Sequence, residues 1–203
     1  MPGKLFIISS PSGGGKGTLI REILRTVPKV TCSVSFTTRP KRQNEENGKD
    51  YFFVNHEEFL NLIEKGEFLE YAEVHGHLYG TSRTQVEDKI QKGYDVILEI
   101  DIQGADSIKK IKPEAVSIFI MPPSFETLRN RLMTRATETE ESLKTRLANA
   151  KKEVKAYERF DYIVINDELN EAVENLRAIF IAERQKRTYQ AQKIQKILAS
   201  FCP

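Results

Sequence analysis

The chain has 203 residues, 39% hydrophobic, 30% charged and 9% aromatic, a balance that supports one main domain with a real core and excludes a disordered chain. Lysine and arginine total 31 against 29 aspartates and glutamates, so the net charge of +2 gives no sequence-independent pull toward nucleic acid or an anionic membrane. No apolar run approaches the roughly 20 residues of a membrane span, and the apolar start is too short for a signal peptide, so a cytoplasmic protein with neither nucleic-acid nor membrane partners is expected.

In chain order, strand-like runs are predicted at Leu5 to Ile8, Val30 to Phe36, Tyr94 to Ile100, Val116 to Met121 and Tyr162 to Ile165. Helical spacing fills the intervals: Thr18 to Val27 carries Leu19, Ile20, Ile23, Leu24 and Val27, and Glu168 to Glu183 carries Leu169, Val173, Leu176 and Phe180. Strands alternating with helices predict an α/β fold of three layers, a five-stranded parallel sheet flanked by helices.

Two segments interrupt that alternation. Arg39 to Gly80 is rich in charge, glycine and aromatics, with β-like pieces at Tyr51 to Val54 and Phe68 to Ala72 around a helix-like Glu57 to Lys65; it reads as a small mixed α/β insert. Pro122 to Lys155 carries Arg129, Arg131, Arg135 and Arg146 with the polar run Thr137 to Ser142, and reads as a helical lid whose main helix starts at Thr139. The expected division is core 1–33, insert 34–83, core 84–122, lid 123–155 and core 156–203. Cys32 and Cys202 lie too far apart for a disulfide framework or zinc cluster, and His75-Gly76-His77 reads as a turn between strands rather than a metal pair. The basic tail Arg184 to Lys196 reads as the solvated end of a long helix or as a subunit contact, so monomer and homo-oligomer both stay open.

The sharpest motif is Ser10-Pro11-Ser12-Gly13-Gly14-Gly15-Lys16-Gly17-Thr18, between a strand and an amphipathic helix. Wrapping a phosphate chain takes converging backbone N–H groups, glycines that permit close approach, and a helix N-terminus; Lys16 adds a mobile charge for the outer phosphates. The loop departs from G-x-x-x-x-G-K-[ST], with Ser10 for the first glycine and Gly17 for the hydroxyl residue that normally reaches magnesium. Either Thr18 substitutes, or the ion is held through water and phosphates. Downstream, Arg39 and Arg42 offer guanidinium forks and Tyr51 and Tyr79 offer uncharged phenol donors, a set suited to a phosphate monoester.

Taken together, Ser33-Val34-Ser35-Phe36-Thr37-Thr38-Arg39 with Arg42, Gly48-Lys49-Asp50-Tyr51, Phe68-Leu69-Glu70-Tyr71, Tyr79-Gly80-Thr81, Leu98 to Gly104, Arg135 to Thr139 and Val164 to Asp167 resemble guanylate kinase over nearly the whole chain. The resemblance implies transfer of the γ-phosphate of ATP to GMP, and to dGMP, giving ADP and GDP in purine nucleotide metabolism and GMP recycling, with Mg2+ as cofactor. It implies an ATP site at residues 10–18 with Asn166 at the adenine, and a GMP site of Ser35, Arg39, Arg42, Tyr51, Glu70, Tyr79, Thr81 and Asp101. Lys16, Arg39, Arg135 and Arg146 become the catalytic cations, and Thr18 and Asp101 the metal contacts, directly or through water. One carboxylate such as Glu70 accepts both N1–H and the exocyclic amine of guanine, while Ser35 or Thr81 donates to O6; adenine lacks those partners. As alternatives, Asp101 also fits a helix cap, Asn166 equally fits a turn, and Arg131 fits an exposed helix residue. Ala136 stands where the family usually has glycine. The rival readings are a non-catalytic guanylate-kinase-like phosphopeptide module and another P-loop small-molecule kinase.

Overall fold

The computed structural model of the protein describes residues 2–74, 76–134 and 140–201, apart from the side chains of 140–142. In chain order the elements are β1 (Leu5–Ser9), α1 (Lys16–Thr26), β2 (Val30–Cys32), β3 (Phe36–Thr37), β4 (Phe52–Phe53), α2 (His56–Glu64), β5 (Phe68–Val74) and β6 (His77–Ser82). They continue with α3 (Arg83–Gln91), β7 (Asp95–Glu99), α4 (Ile102–Ile111), β8 (Val116–Met121), α5 (Phe125–Met133) and α6 (Glu140–Glu153). A 3-10 turn at Val154–Arg159, β9 (Tyr162–Ile165), α7 (Leu169–Gln185) and α8 (Arg187–Phe201) complete the chain.

Five strands form a sheet in the order β2-β7-β1-β8-β9, and every neighbouring pair in it is parallel. The period of two divides its side chains between two layers. Phe6 and Ile8 of β1 join Leu19, Ile20 and Ile23 of α1 and Leu176 and Phe180 of α7 on one face. Leu5 and Ile7 join Val86 of α3 and Ala105 and Ile108 of α4 on the other. The ring of Phe6 stacks on that of Phe180 at 4.0 Å between centroids. Pairing β1 with β7 brings the ends of both strands, and hence the 10–18 loop and Glu99 to Asp101, to one rim of the sheet.

The second sheet runs β4-β3-β6-β5, with β3 parallel to β4 and antiparallel to β6. Its β5–β6 hairpin turns at Gly76, whose φ of +78° lies in the left-handed region. An Asn55–Glu58 capping box starts α2, and the Ser82 hydroxyl caps α3. Leu69 of β5 packs in the core layer of the parallel sheet with Ile100 and Ala105, and Glu70, the next residue, follows at an irregularity in the β5–β6 ladder.

The run Val30 to Phe36 is not one strand. Thr31 and Cys32 pair with β7, whereas Phe36 and Thr37 pair with β4 and β6 in the other sheet. The same alternation suits either sheet, and periodicity alone does not say where a ladder changes partner. The tail also differs from one long helix: Lys186 adopts an extended backbone (ψ 137°) between α7 and α8, and α8 buries none of its side chains. Leu128 and Leu132 of α5 pack on Ala150, Leu147 and Leu143 of α6, which fixes the lid helix beside the loop. Thr139, the expected start of that helix, and His75 lie outside the described residues.

Candidate functional site

The 10–18 loop bends through left-handed glycines, Gly13 at φ +85° and Gly15 at φ +89°. Gly15 is the N-cap of α1 and lends no side chain to the helix start. A Cβ there would meet Asn166 Nδ2 at 2.2 Å, and one on Gly13 would meet Leu132 Cγ at 2.9 Å, so neighbours close on the loop from both sides. The Gly14 N–H turns back to the Pro11 carbonyl at 2.9 Å, and the Asn166 amide donates to the Gly14 carbonyl at 2.9 Å. The N–H groups of Gly13, Gly15, Lys16 and Gly17 find no protein acceptor among the described residues. Four such donors at a helix N-terminus make an anion cradle.

Lys16 Nζ donates to the Ile100 carbonyl at 3.3 Å and lies 3.7 Å from Glu99 Oε1. Glu99 Oε1 is also 3.7 Å from where a Cβ on Gly17 would stand, so a carboxylate occupies the neighbourhood that a loop hydroxyl would otherwise fill. Thr18 is exposed, and its hydroxyl accepts from Arg21 at 3.4 Å. Ser10 packs under Gly14, where a Cβ would stand 2.9 Å from Ser10 Cβ. Among the described residues no cluster of three or more His, Cys, Asp or Glu is arranged to hold a metal.

Across the rim the second sheet brings two groups of side chains together. In the first, the Thr81 hydroxyl donates to Glu70 Oε1 at 2.6 Å, both residues buried. Gly104 of α4 is what admits them: a Cβ there would stand 3.1 Å from Glu70 Oε2 and 3.2 Å from Asp101 Oδ1. Asp101 caps α4, accepting the Gly104 N–H at 2.8 Å, so the cap reading of this residue holds while its carboxylate still faces Glu70. Burial, with the Asp101 charge adding and the Thr81 hydroxyl opposing, lifts the Glu70 carboxyl to about 7.

In the second group Arg39 Nη2 donates to Glu45 Oε1 at 2.6 Å, and its guanidinium lies over the rings of Tyr51 and Phe53 at 5.4 and 5.8 Å. That hydrogen bond raises Arg39 and lowers Glu45 from their ordinary values. Tyr51 and Tyr79 meet edge to face at 5.9 Å. Burial first, then the negative charge of Glu99 at the end of β7, push the Tyr51 phenol to about 12. Arg42 is exposed and donates only its backbone N–H, to Glu45 Oε2 at 2.9 Å. The Ser35 carbonyl accepts the Phe52 N–H at 2.9 Å, which ties its segment to the second sheet.

On the lid side, Arg146 Nε and Nη2 donate to the Ser12 hydroxyl at 3.0 and 2.8 Å. Arg131 Nη2 donates to the Asn166 carbonyl at 3.0 Å, and its Nη1, buried near Gly15, has no hydrogen-bond partner among the described residues. Arg131 is therefore part of the loop's surroundings rather than an exposed helix residue, and Asn166, 5% exposed, braces the loop instead of shaping a turn. Arg135 lies outside the described residues. Sequence reasoning missed Glu45, which holds Arg39, and Glu153, which accepts the Ser12 N–H at 3.0 Å. Neither stands in a motif, and acids in polar stretches carry no distinguishing signal.

The loop's free N–H donors and the buried Glu70 beside Asp101 are the two polar groupings of this rim. The guanylate kinase family model matches residues 2–183. The chain belongs to the guanylate kinase family. It is 52% identical over 196 residues to a guanylate kinase of Thermotoga maritima, covering 97% of this chain and 95% of the relative. It is 48% identical over 197 residues to one of Nitrosomonas europaea, covering 97% and 98%. The crystal structure of guanylate kinase from Anaplasma phagocytophilum superposes with a TM-score of 0.74 at 38% identity, covering 91% of this chain and 88% of that one. The chain is thus an enzyme of the nucleoside monophosphate kinase class. Among the described residues no helix is long and apolar enough to cross a membrane.

Proposed function

We propose that this enzyme transfers the γ-phosphate of ATP to GMP, giving ADP and GDP, with ATP on the 10–18 loop and GMP on the second sheet. The observation that carries the reading is the buried Glu70–Thr81 pair at 2.6 Å, set against Asp101 at the gap left by Gly104. An ionised Glu70 accepts the adjacent N1–H and amine donors of guanine, and Thr81 or Ser35 serves O6. AMP would leave these buried groups desolvated and unpaired.

Arg39, Arg42, Tyr51 and Tyr79 hold the GMP phosphate, with the Arg39 fork passing from Glu45 to the incoming anion. The loop N–H groups and Lys16 hold the β- and γ-phosphates, and Arg146 and Arg135 stabilise the charge that spreads over the moving group. Phosphoryl transfer asks little covalent work of the protein, so alignment and positive charge supply the rate. Magnesium, when bound, neutralises phosphate charge; Thr18, Asp101 and Glu99 are the donors present to hold it, largely through water, as an ion that keeps its waters prefers. The setting is the cytoplasm, where ATP and GMP are both available. The loop lysine and Arg146 are both present and placed at the loop, which favours catalysis over a binding-only module.

The test is ADP release from ATP and magnesium with GMP, AMP, CMP and UMP offered separately. Turnover with GMP alone is expected. Equal turnover with AMP would remove the guanine site, and GMP binding without turnover would make the chain a binding module.

A further inference from the structure

Arg146 and Glu153 stand seven residues apart on α6, two turns along one face, and both reach the same loop residue. Arg146 donates to the Ser12 hydroxyl at 3.0 and 2.8 Å, and Glu153 accepts the Ser12 N–H at 3.0 Å. Ser12 is thus gripped at its side chain and its main chain by one helix. Glu153 ends α6 and leads directly into the 3-10 turn at Val154–Arg159, to which its side chain makes no cap hydrogen bond.

From this geometry we infer that Glu153 is a positioning residue for phosphoryl transfer: it holds the phosphate loop and the lid arginine in register through Ser12. The inference rests on the role proposed above for Arg146. By drawing the Ser12 N–H outward, Glu153 sets the turn from which the inward donors of Gly13, Gly15, Lys16 and Gly17 follow. The same contact anchors the far end of α6, so that Arg146 swings about a fixed point beside the loop rather than with a free helix. The hydrophobic contacts of Leu143, Leu147 and Ala150, with Lys151 over the Phe125 ring at 4.7 Å, hold the helix against α5, while Arg146 and Glu153 join it to the loop.

The experiment is steady-state kinetics of Glu153→Ala, Glu153→Gln and Ser12→Ala, with amide hydrogen exchange at Ser12 in each. Glu153→Ala is expected to lower kcat about tenfold or more while the KM for GMP changes less than about twofold, because misplacement by a fraction of an ångström acts on the reacting geometry and not on the distant base. Glu153→Gln keeps an acceptor oxygen and restores most of the lost rate. Ser12 exchange speeds up in Glu153→Ala and stays slow in Glu153→Gln. Wild-type kcat in Glu153→Ala overturns the inference, as does an equal loss in both Glu153 variants that follows their Tm. Because the exchange measurement needs no turnover, it reads the tether even if the proposed reaction fails.

Discussion

At the phosphate loop the groups offered to an anion are main-chain N–H donors and one lysine, set by glycine geometry and by a helix end. Across the crevice the groups are side chains already engaged with each other, Arg39 on Glu45 and Thr81 on Glu70. The first region is ready before its ligand arrives, whereas the second must exchange partners to bind. Preorganised donors gain affinity by avoiding ordering costs, and exchanged partners gain selectivity because the wrong ligand leaves them unpaired. On the proposed assignment, one enzyme thus grips the nucleotide common to many reactions rigidly and tests the nucleotide that defines its own.

The largest effect should come from the rigid side. Lys16→Ala is expected to lower kcat about a thousandfold or more, with circular dichroism and Tm close to wild type, since Lys16 is tied loosely, to the Ile100 carbonyl at 3.3 Å and Glu99 at 3.7 Å. A large Tm drop would mean that the lysine holds the loop rather than the phosphates.

Next comes the exchanging side. Glu70→Gln is expected to cut kcat/KM for GMP between about 10-fold and 100-fold while leaving the KM for ATP unchanged. A parallel loss for both substrates would show that Glu70 supports the crevice as a whole and reads nothing.

The same carboxyl gives two pH effects of opposite sign. Its folded value of about 7 is raised above the ordinary 4.5, so the stability it contributes is complete below 4.5 and is lost as pH rises through 7. GMP asks for the ionised form, so GMP affinity should weaken about tenfold per unit as pH falls below 7. Thermal melts and calorimetric titration across pH 4.5 to 8 measure both, and Glu70→Gln should flatten both. If the variant keeps the wild-type pH profile, another group titrates.

The smallest effect concerns Glu45. As a competitor for Arg39, its removal in Glu45→Gln should tighten GMP about threefold, within the range of partly exposed ion pairs. Weaker GMP binding would instead make Glu45 a positioner of Arg39, and the two regions would then differ less than the comparison holds.

The contrast also explains what the sequence discloses. The loop is contiguous, so its order of strand, glycines, lysine and helix is visible in one stretch, and β8 and β9 are visible from their apolar runs. Glu70 and Asp101 meet only because β5 packs against α4 through Gly104, and nothing local to either residue announces that; only the resemblance to a family does. Glu45 acts through Arg39 and the Arg42 N–H, and Glu153 through the Ser12 N–H of the loop, contacts that no periodicity records. The split of Val30 to Phe36 between two sheets is likewise a tertiary choice.

That split has a mechanical consequence. The chain passes between the two sheets at residues 33–35 and again at the Ser82–Arg83 junction, and Leu69 of β5 is seated in the core beside them. The Ser33 N–H donates to the Ile97 carbonyl at 3.0 Å and the Ser35 carbonyl accepts the Phe52 N–H at 2.9 Å. Three residues thus tie the second sheet to β7, the neighbour of β1, and a displacement of that sheet is passed straight to the strand that ends at Glu99.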